Sequence, residues 1–567
     1  MRTSLINQSF FTATIFLFFS SFYFRTNLGG QGLFLPFNSV VWIAVALILA
    51  LAVLRMWQQQ VIRLPAYFGL IIAMPLLIML TGFIVGLEQP LSWMLRISAI
   101  LLGFFLFFGL FQFNASRRDI QSALYILCGV LSLHAFVGLI QLMPGTLLSE
   151  LVPNPGNQIA LGFFQQPNLQ ASLMATAVVL SVFMLSAPDF SNRPLWVKLL
   201  PVFCMLLSAF VLLSAGSRIG ILGGGVGLVL ITLSRYSLLK YRKFWTVGIF
   251  GALLIGGSAG LFINEGALRA YSKMEQLAEE GQDIRKDVYL ISWEVIKDKP
   301  LLGHGIGSFQ RVFHNKAAEY QLEAQGFNLG VRFSHPHNEF LLWGVESGAV
   351  GLFAFLFGVV AVCRQLLSLG WQRGGAMASI LLPMALHTQV EHPFYVSAYH
   401  WVIFLFLLFV VFQTRCKTYP LYLSIAAGWL VRGGAVLLLM VVLWFSSTAL
   451  YYSHHIVYVL YSGHAKPEEL RSISKHPFFT NVATRYLLES LSNTEKISHG
   501  TTFTLDYARW MENSLRDEPD ISVFLELIRA YNYLGDSEKK KNTVDRALYL
   551  YRDNPLILAA SKEILVD

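Results

Sequence analysis

The sequence predicts an all-α, polytopic membrane protein of about thirteen transmembrane helices, with a large loop and a polar helical tail on the outer side. Hydrophobic residues make up 55% of the 567 residues and charged residues only 13%, whereas a soluble domain carries about 25% charged residues. The apolar residues also occur in blocks of about 18–25, the length that crosses a hydrocarbon core of about 30 Å. The short loops between these blocks alternate between basic and nearly uncharged.

The apolar blocks define the predicted helices. Gly and Pro inside them are compatible with membrane helices, because neighbouring groups satisfy the backbone there. No small-residue cleavage site follows the N-terminal block, so we interpret it as a retained helix rather than a signal peptide. The blocks fall at about residues 8–24, 33–54, 65–86, 95–114, 120–143, 169–187, 197–214, 219–234, 245–264, 346–363, 376–391, 400–414 and 432–450.

The distribution of Lys and Arg fixes the orientation, because cytoplasmic loops of membrane proteins are enriched in both. If the N-terminus with Arg2 is inside, the short outer loops carry little beyond Arg25 and Arg218. The net charge of +9 is therefore a topology signal, and we expect no binding of nucleic acid. The inner loops carry Arg55, Arg63, Arg117, Arg118, Arg193, Lys198, Arg235, Lys240, Arg242, Lys243, Arg364, Arg373, Arg415 and Lys417.

This topology divides the chain into four predicted regions. Residues 1–264 hold the first nine helices, and residues 265–337 form the largest outer loop. Residues 338–450 hold the last four helices, and residues 451–567 form the outer tail. Within the tail, two amphipathic helices joined at Gly535-Asp536 and followed by Pro555 resemble one tetratricopeptide unit, although a small helical cap explains the pattern equally well.

The cysteines and acidic residues argue against a metal centre. The cysteines lie in apolar blocks or beside a basic inner loop, which disfavours a disulfide framework or a zinc site. No carboxylate cluster occurs in an outer segment. We therefore expect neither a bound metal nor a cofactor. The four cysteines are Cys128, Cys204, Cys363 and Cys416.

Three ionisable residues at the outer boundary are candidates for catalysis: Arg218, Arg285 and His337. Two arginines suit a diphosphate, because their planar forks bind phosphate oxygens and keep their charge. A histidine suits removal of a proton from a hydroxyl. Simpler interpretations remain open. Arg218 can reach from a helix end to lipid headgroups, Arg285 can be a solvated loop charge, and His337 can merely precede a helix.

The segments around these residues resemble a known family. "RKDVYLISWEVIKDKPLLGHGIGSFQRVF" followed by "HPHNEFLLWGVESGAVGL" resembles the core motif of the Wzy/WaaL superfamily, which contains O-antigen polymerases, O-antigen ligases and PglL-type protein O-oligosaccharyltransferases. "SRIGILGG" resembles an earlier serine-arginine element of the same superfamily. Of the two histidines, His335 and His337, we assign the family's histidine to His337, because it directly precedes Asn338-Glu339.

Two further elements favour the PglL-type branch. "GNQIALGFFQQPNLQASLMA" resembles its Gln-Pro-Asn element, and "LHTQVEHPFYVSAYHW" resembles its His-Gln-Glu-Pro-Tyr element. The resemblance implies that Gln166, Asn168, His387, Gln389 and Tyr395 of these elements bind substrate together with Asn338 and Glu339. The matching positions are Gln166, Pro167, Asn168, His387, Gln389, Glu391, Pro393 and Tyr395.

The resemblance implies a glycosyltransferase of the bacterial inner membrane whose active site faces the periplasm. It would transfer a preassembled oligosaccharide from undecaprenyl diphosphate to Ser or Thr of an exported protein such as a pilin. Arg218 and Arg285 would stabilise the leaving diphosphate, and His337 would deprotonate or orient the hydroxyl. Asn338 and Glu339 would orient the histidine, Gln389 and Tyr395 would line the pocket, and Glu391 would pair with a nearby cation.

Other functions stay open at this point. An O-antigen ligase would use the same donor with a lipid A-core acceptor, and a polymerase would join repeat units to one another. A transporter or flippase belongs to a different class. It is disfavoured by the lack of a convincing inverted repeat and by the few charges midway through the apolar blocks. The sequence identifies neither the glycan nor the acceptor.

Overall fold

The structure, a computed structural model, describes residues 2–86, 89–143, 151–153, 158–262, 284–323, 331–461 and 466–564. This part of the chain is predominantly helical, and its β structure consists of one pair of five-residue strands. The fold is therefore the predicted all-α class.

The helices up to the large outer loop are α1 (Arg2–Phe19), α2 (Pro36–Gln59), α3 (Phe68–Val85), α4 (Pro90–Phe111), α5 (Arg117–Leu142), α6 (Pro167–Leu185), α7 (Leu195–Ser214), α8 (Arg218–Tyr241) and α9 (Lys243–Phe262). The loop contributes α10 (Ile284–Asp298) and α11 (Phe309–Glu323). The chain continues with α12 (Glu339–Ser368), α13 (Gly370–His387), α14 (Pro393–Val396), α15 (Ala398–Phe412) and α16 (Ile425–Tyr461). The tail holds α17 (Pro467–Ile473), α18 (Thr480–Ile497), α19 (Thr502–Asp517), α20 (Ile521–Leu534), α21 (Ser537–Leu550) and α22 (Pro555–Ile564).

Every predicted apolar block overlaps a helix. Within the described residues, ten helices are long and apolar enough to cross a membrane, namely α2 to α9, α12 and α16. The remaining three blocks correspond to two shorter apolar helices, in α1 and α15, and to α13. The helices α12 and α16 extend beyond the blocks that predicted them, because α12 begins at Glu339 and α16 continues to Tyr461.

Helix starts carry the residues that their chemistry requires. Ser116 and Asp119 form a reciprocal capping box at the start of α5, which satisfies two backbone N–H groups that have no partner within the helix. Pro36 and Pro167 occupy the first position of α2 and α6, where the missing N–H costs nothing and the fixed φ suits a helix.

The strand pair joins two of the predicted inner loops. β1 (Val61–Pro65) pairs with β2 (Cys416–Pro420) in antiparallel register, with Arg63 opposite Thr418. The amide of Gln112 binds both the N–H and the C=O of Arg63 at 2.9 Å. These contacts connect the segment after α2, the end of α4 and the segment after α15.

By its internal contacts the chain divides into two units. The bundle unit comprises residues 1–75, 98–282 and 356–454, and the loop-tail unit comprises residues 76–97, 283–355 and 455–567. In the bundle unit α6 is almost entirely buried and packs against α5, α7, α8 and α13.

Glycines of α8 allow this helix to approach its neighbours closely. A Cβ at Gly220 would lie 2.8 Å from the Cβ of Ala171 on α6, and a Cβ at Gly223 would lie 3.0 Å from the Cα of Pro383 on α13. Small residues permit such helix contacts inside a membrane. The glycines that follow Arg218 therefore serve packing and fix the position of the helix that begins with this arginine.

The loop-tail unit contains α10, α11, the first part of α12 and the tail helices. The two helices predicted around Gly535-Asp536 are present as α20 and α21. Gly535 adopts the left-handed conformation (φ 69°), and the Asp536 side chain accepts a hydrogen bond from the N–H of Lys539 at 3.0 Å. Pro555 begins a further helix, α22, so the tail continues beyond this pair.

Candidate active site

Arg218 is the first residue of α8 in the bundle unit, and its side chain is exposed. Gly216 precedes it in the left-handed conformation (φ 59°), which glycine adopts without steric cost. The Ser217 side chain then caps α8 by accepting from the N–H of Gly220 at 3.4 Å. The serine-arginine element thus forms a tight turn that places the guanidinium at a helix start.

A hydrogen-bonded cluster forms around Glu391 in the bundle unit. Gln166 donates from Nε2 to this carboxylate at 3.1 Å, and Asn168 donates from Nδ2 to its other oxygen. His387 Nε2 contacts the same carboxylate at 3.0 Å. The Ser217 hydroxyl donates to Oδ1 of Asn168 at 2.8 Å. The Gln-Pro-Asn, His-Gln-Glu-Pro-Tyr and serine-arginine elements therefore belong to one network.

The network explains how a largely buried carboxylate is tolerated. The Glu391 side chain is 14% exposed, and that of His387 is fully buried. A carboxylate removed from water needs several donors to offset its lost hydration. The two side-chain amides and the imidazole supply them. Three predicted binding residues, Gln166, Asn168 and His387, are thus brought together at Glu391, for which the sequence predicts only pairing with a nearby cation.

Buried amides fix the backbone on both sides of this cluster. Gln141 accepts hydrogen bonds from the N–H groups of Leu161 and Gly162 at 2.9 and 2.8 Å, which holds the segment before Gln166. Asn38 donates to the Val396 carbonyl at 2.8 Å and accepts from the N–H of Ala398 at 2.8 Å. It thereby holds the turn that carries Tyr395.

The last two residues predicted in this unit lie beside the cluster in sequence. Gln389 donates to the hydroxyl of Thr388 at 2.9 Å. Tyr395 is half-buried on the short helix α14, and its ring packs edge-on against that of His392, with centroids 5.4 Å apart. A role of either side chain in binding substrate stays a prediction.

His337 lies in the loop-tail unit in a strained conformation. Its φ of 54° is left-handed, which costs a residue with a Cβ about 1–2 kcal/mol. The His337 N–H donates to Nδ1 of His335 at 3.3 Å, and the two rings are 4.4 Å apart. Strain of this kind persists only where the surroundings enforce it, and it is concentrated at functional sites. His335 thus stabilises the turn that presents His337.

Helix α10 connects Arg285 to the same turn. The Tyr289 hydroxyl donates to the carbonyl of His337 at 3.5 Å. Arg285, which is half-buried, precedes Tyr289 by four residues, and side chains at this spacing lie on one face of a helix. The structure therefore places Arg285 on the face of α10 that contacts the His337 turn. The meeting of Arg218 with these two residues stays a prediction.

Asn338 and Glu339 build the start of α12. Asn338 Oδ1 accepts from the N–H of Leu341 at 3.0 Å, as a helix cap does. Glu339 accepts from the indole N–H of Trp343 at 3.0 Å, and an acidic residue in the first turn is favoured by the helix dipole. Both residues fix the direction of the chain after His337, and their binding to substrate stays a prediction.

The glycine-rich part of the core motif docks on a break in α12. Gly348 interrupts the helix with φ 58° and ψ −153°. Around this break the N–H of Ala349 donates to the carbonyl of Pro300 at 2.8 Å. The N–H of Gly305 donates to the carbonyl of Glu346 at 2.9 Å. The loop between α10 and α11 is therefore held to α12 by backbone hydrogen bonds.

An ion pair beside this junction was missed by the sequence analysis. Arg96 of α4 forms a salt bridge with Glu346 of α12, whose side chain is completely buried. A signal existed, because each is a charged residue inside a predicted apolar block, where such residues are costly and retained for a reason. Its position suggests that the pair stabilises the break in α12.

The described residues include no group of three or more His, Cys, Asp or Glu side chains that could hold a metal ion. Cys128 and Cys204 are buried, Cys416 is half-buried and Cys363 is exposed, all of them as free thiols.

Comparison with known families identifies the class. A family model described as O-antigen ligase matches residues 203–356, which include Arg218, Arg285 and His337. A second, described as the C-terminal part of a virulence factor membrane-bound polymerase, matches residues 376–562. A search of individual curated proteins gives no match. The fold and these matches define a multi-pass membrane enzyme of the ligase or polymerase type, which transfers glycosyl groups. The chain belongs to the Wzy/WaaL superfamily.

Proposed function

We propose that this enzyme is a protein O-oligosaccharyltransferase of the PglL type. It transfers a preassembled oligosaccharide from undecaprenyl diphosphate to Ser or Thr of an exported protein such as a pilin, at the periplasmic face of the bacterial inner membrane. The observation that carries the proposal is the network around Glu391. It joins the two elements typical of the PglL-type branch to Ser217, the residue next to Arg218.

Arg218 and Arg285 bind the diphosphate of the donor in this mechanism. The bond between the sugar C1 and the diphosphate oxygen breaks, and negative charge grows on the leaving group. Guanidinium groups bind phosphate oxygens bidentately and remain charged at any physiological pH. Their attraction increases as the bond breaks, so they stabilise the transition state more than the bound donor.

His337 receives the proton of the acceptor. The Ser or Thr oxygen attacks C1, its proton passes to the imidazole, and the lipid diphosphate leaves. General-base assistance of this kind is worth about 10²–10⁴-fold in rate. The contacts of His337 with His335 and Tyr289 involve its own backbone N–H and carbonyl, and they hold the residue in its left-handed conformation without using the ring for those two bonds.

The test is glycan transfer by the purified protein in detergent, with undecaprenyl-diphosphate-linked glycan and an acceptor protein. We expect His337→Ala to lower the rate of transfer by about 10²–10⁴-fold, and Arg218→Ala and Arg285→Ala to lower it strongly. Arg509→Ala is the control, because Arg509 is an arginine of the tail with 63% exposure. Normal transfer by all three site variants at normal protein levels would exclude the assigned mechanism.

A second candidate function is that of an O-antigen ligase, which the match over residues 203–356 favours. Both functions use the same arginines and histidine, so only the acceptor separates them. The same donor is therefore offered with lipid A-core and, separately, with protein. Transfer to lipid A-core alone would establish the ligase. Elongation of the lipid-linked glycan with neither acceptor would indicate a polymerase, and absence of any transfer by an intact protein would favour a transporter.

A further inference from the structure

The segment that leads into the His337 turn is bound by the tail. Within the loop-tail unit, the guanidinium of Arg332 forms a salt bridge with Asp520, at the start of α20. It also donates to Glu518 at 3.1 Å and to Gln310 of α11 at 2.8 Å. Arg332 thus uses its fork to join the segment before His337 to both the tail and α11.

Asp520 is held in place for this contact. Its Oδ1 caps α20 by accepting from the N–H and the hydroxyl of Ser522 at 2.8 and 2.6 Å, while Oδ2 accepts from Arg332. Burial alone would raise the pKa of the Asp520 carboxyl, but the hydrogen bonds from Ser522 and the charge of Arg332 outweigh it and lower the pKa. The carboxylate therefore remains ionised and has one oxygen for each task.

The next residue continues the connection toward His337. The N–H of Phe333 donates to Nε2 of His314 on α11 at 3.1 Å. His314 is buried, and its ring packs against that of Tyr551 in the tail, with centroids 5.5 Å apart. The Phe333 ring lies edge-on to the His337 ring at 6.3 Å, with an interplanar angle of 83°. Contacts therefore run without a gap from the tail to the candidate base.

Helix α11 is itself part of the tail's core. Ala318 lies in one apolar cluster with Phe524 and Tyr551, and Arg546 donates to the side chain of Asn315. His314, which binds the backbone N–H of Phe333, thus lies on a helix that the tail contacts at two places.

We propose that the C-terminal tail is a brace that positions His337 through Arg332 and Phe333, and that Arg332 and Asp520 are positioning residues for catalysis. The proposal rests on the function proposed above for His337. It assigns to the tail a part in the chemistry, although no tail residue touches the substrate in this mechanism.

The variants are chosen to separate positioning from stability. Arg332→Gln removes the charge and the fork, Arg332→Lys keeps the charge, and Asp520→Asn keeps an oxygen for the helix cap. The control is Arg485→Gln. Arg485 and its partner Glu526 form an ion pair within the tail with 25% and 26% exposure, closely matching the 27% and 26% of Arg332 and Asp520.

The experiment measures kcat and KM for glycan transfer, thermal unfolding, and hydrogen exchange of the amides of residues 333–338 in the purified protein. We expect Arg332→Gln and Asp520→Asn to lower kcat by about ten- to a hundredfold, because small displacements of a catalytic group cost this much. KM for the donor should stay unchanged, and exchange in residues 333–338 should accelerate. Arg332→Lys should recover part of kcat, whereas Arg485→Gln should change neither kcat nor this exchange.

Equal kcat and equal exchange in Arg332→Gln and Arg485→Gln would overturn the brace while leaving the proposed function intact, provided that His337→Ala is inactive. A fall in kcat that follows the loss of thermal stability in all variants alike would overturn it as well. If the wild-type protein transfers no glycan, the proposed function fails, and the exchange of residues 333–338 then decides by itself whether the tail holds this turn.

Discussion

The backbone of Gly348 lies against that of Gly303, so that a Cβ on Gly348 would lie 2.6 Å from the nitrogen of Gly303. Both residues have left-handed φ values, 58° and 68°. With ψ at −153°, Gly348 occupies a region that is essentially restricted to glycine. Two segments of the core motif, distant in sequence, thus meet backbone to backbone at the break in α12.

Replacing Gly348 by Ala should disrupt this junction. The new Cβ would lie 2.5 Å from the carbonyl carbon of Leu301, and neither backbone can move without losing its hydrogen bonds. We expect a loss of more than about 3 kcal/mol in the free energy of unfolding, measured by thermal unfolding in detergent. Gly251→Ala is the control, because a Cβ there meets nothing within 4 Å. Equal stability of the two variants would contradict the close approach.

The Arg96–Glu346 pair should behave as a buried ion pair. Arg96→Met leaves the fully buried Glu346 without its cation. We expect the free energy of unfolding to fall by about 3 kcal/mol, at the lower end of the usual range, because Arg96 is 27% exposed. The double variant Arg96→Met, Glu346→Leu should recover most of this loss, because no charge remains buried. A double-mutant cycle of unfolding free energies checks both. Additive losses would show that the pair is not coupled.

Local patterns predicted the helices well. Each apolar block overlaps a helix, since the length and composition of a block depend only on residues that are adjacent in sequence. The α20–α21 junction at Gly535-Asp536 was predicted for the same reason, because a left-handed glycine and a capping aspartate act within one turn. The apolar block of α12 was predicted to begin at about residue 346, whereas the helix begins at Glu339, since Glu339 and Glu346 interrupt the apolar pattern of its first two turns.

Contacts between residues far apart in sequence could not be predicted from the sequence. Glu391 was noted within its motif, but its partners Gln166 and Asn168 lie 225 and 223 residues earlier. Spacing along one chain carries no information about such pairs. The strands β1 and β2 likewise lie in predicted inner loops, because each is only five residues long and finds its partner far along the chain. The link from Asp520 to Arg332 was missed for the same reason.

The loop-tail unit should lose stability in mild acid because of His314. Burial lowers the pKa of His314 to about 4, whereas the unfolded chain has the usual value of about 6.5. Between these values the unfolded state binds more protons, so stability falls as pH decreases from about 6.5 toward 4. We expect the free energy of unfolding to fall by about 2 kcal/mol between pH 7 and pH 5. His314→Gln should remove this part of the pH dependence in denaturant unfolding. Identical pH profiles of the wild type and His314→Gln would show that the loss of stability does not come from His314.

The Glu391 cluster should be needed for activity beyond its effect on stability. Glu391→Gln places an amide N–H₂ opposite the donors of Gln166, Asn168 or His387. At least one hydrogen bond to a charged acceptor is therefore lost, which lowers the free energy of unfolding by about 1.5–3 kcal/mol. We expect glycan transfer to fall by about a hundredfold, because the cluster holds the turn before Arg218 through Asn168.

The matched variant for this prediction is Glu495→Gln in the tail. Glu495 is likewise a carboxylate that accepts hydrogen bonds, here from the N–H groups of Phe503 and Thr504 at 2.7 and 3.0 Å. Its replacement should lower stability by a similar amount but leave transfer unchanged. The comparison therefore separates loss of an ordered carboxylate from loss of the candidate site, and wild-type rates in Glu391→Gln would show that the cluster is only structural.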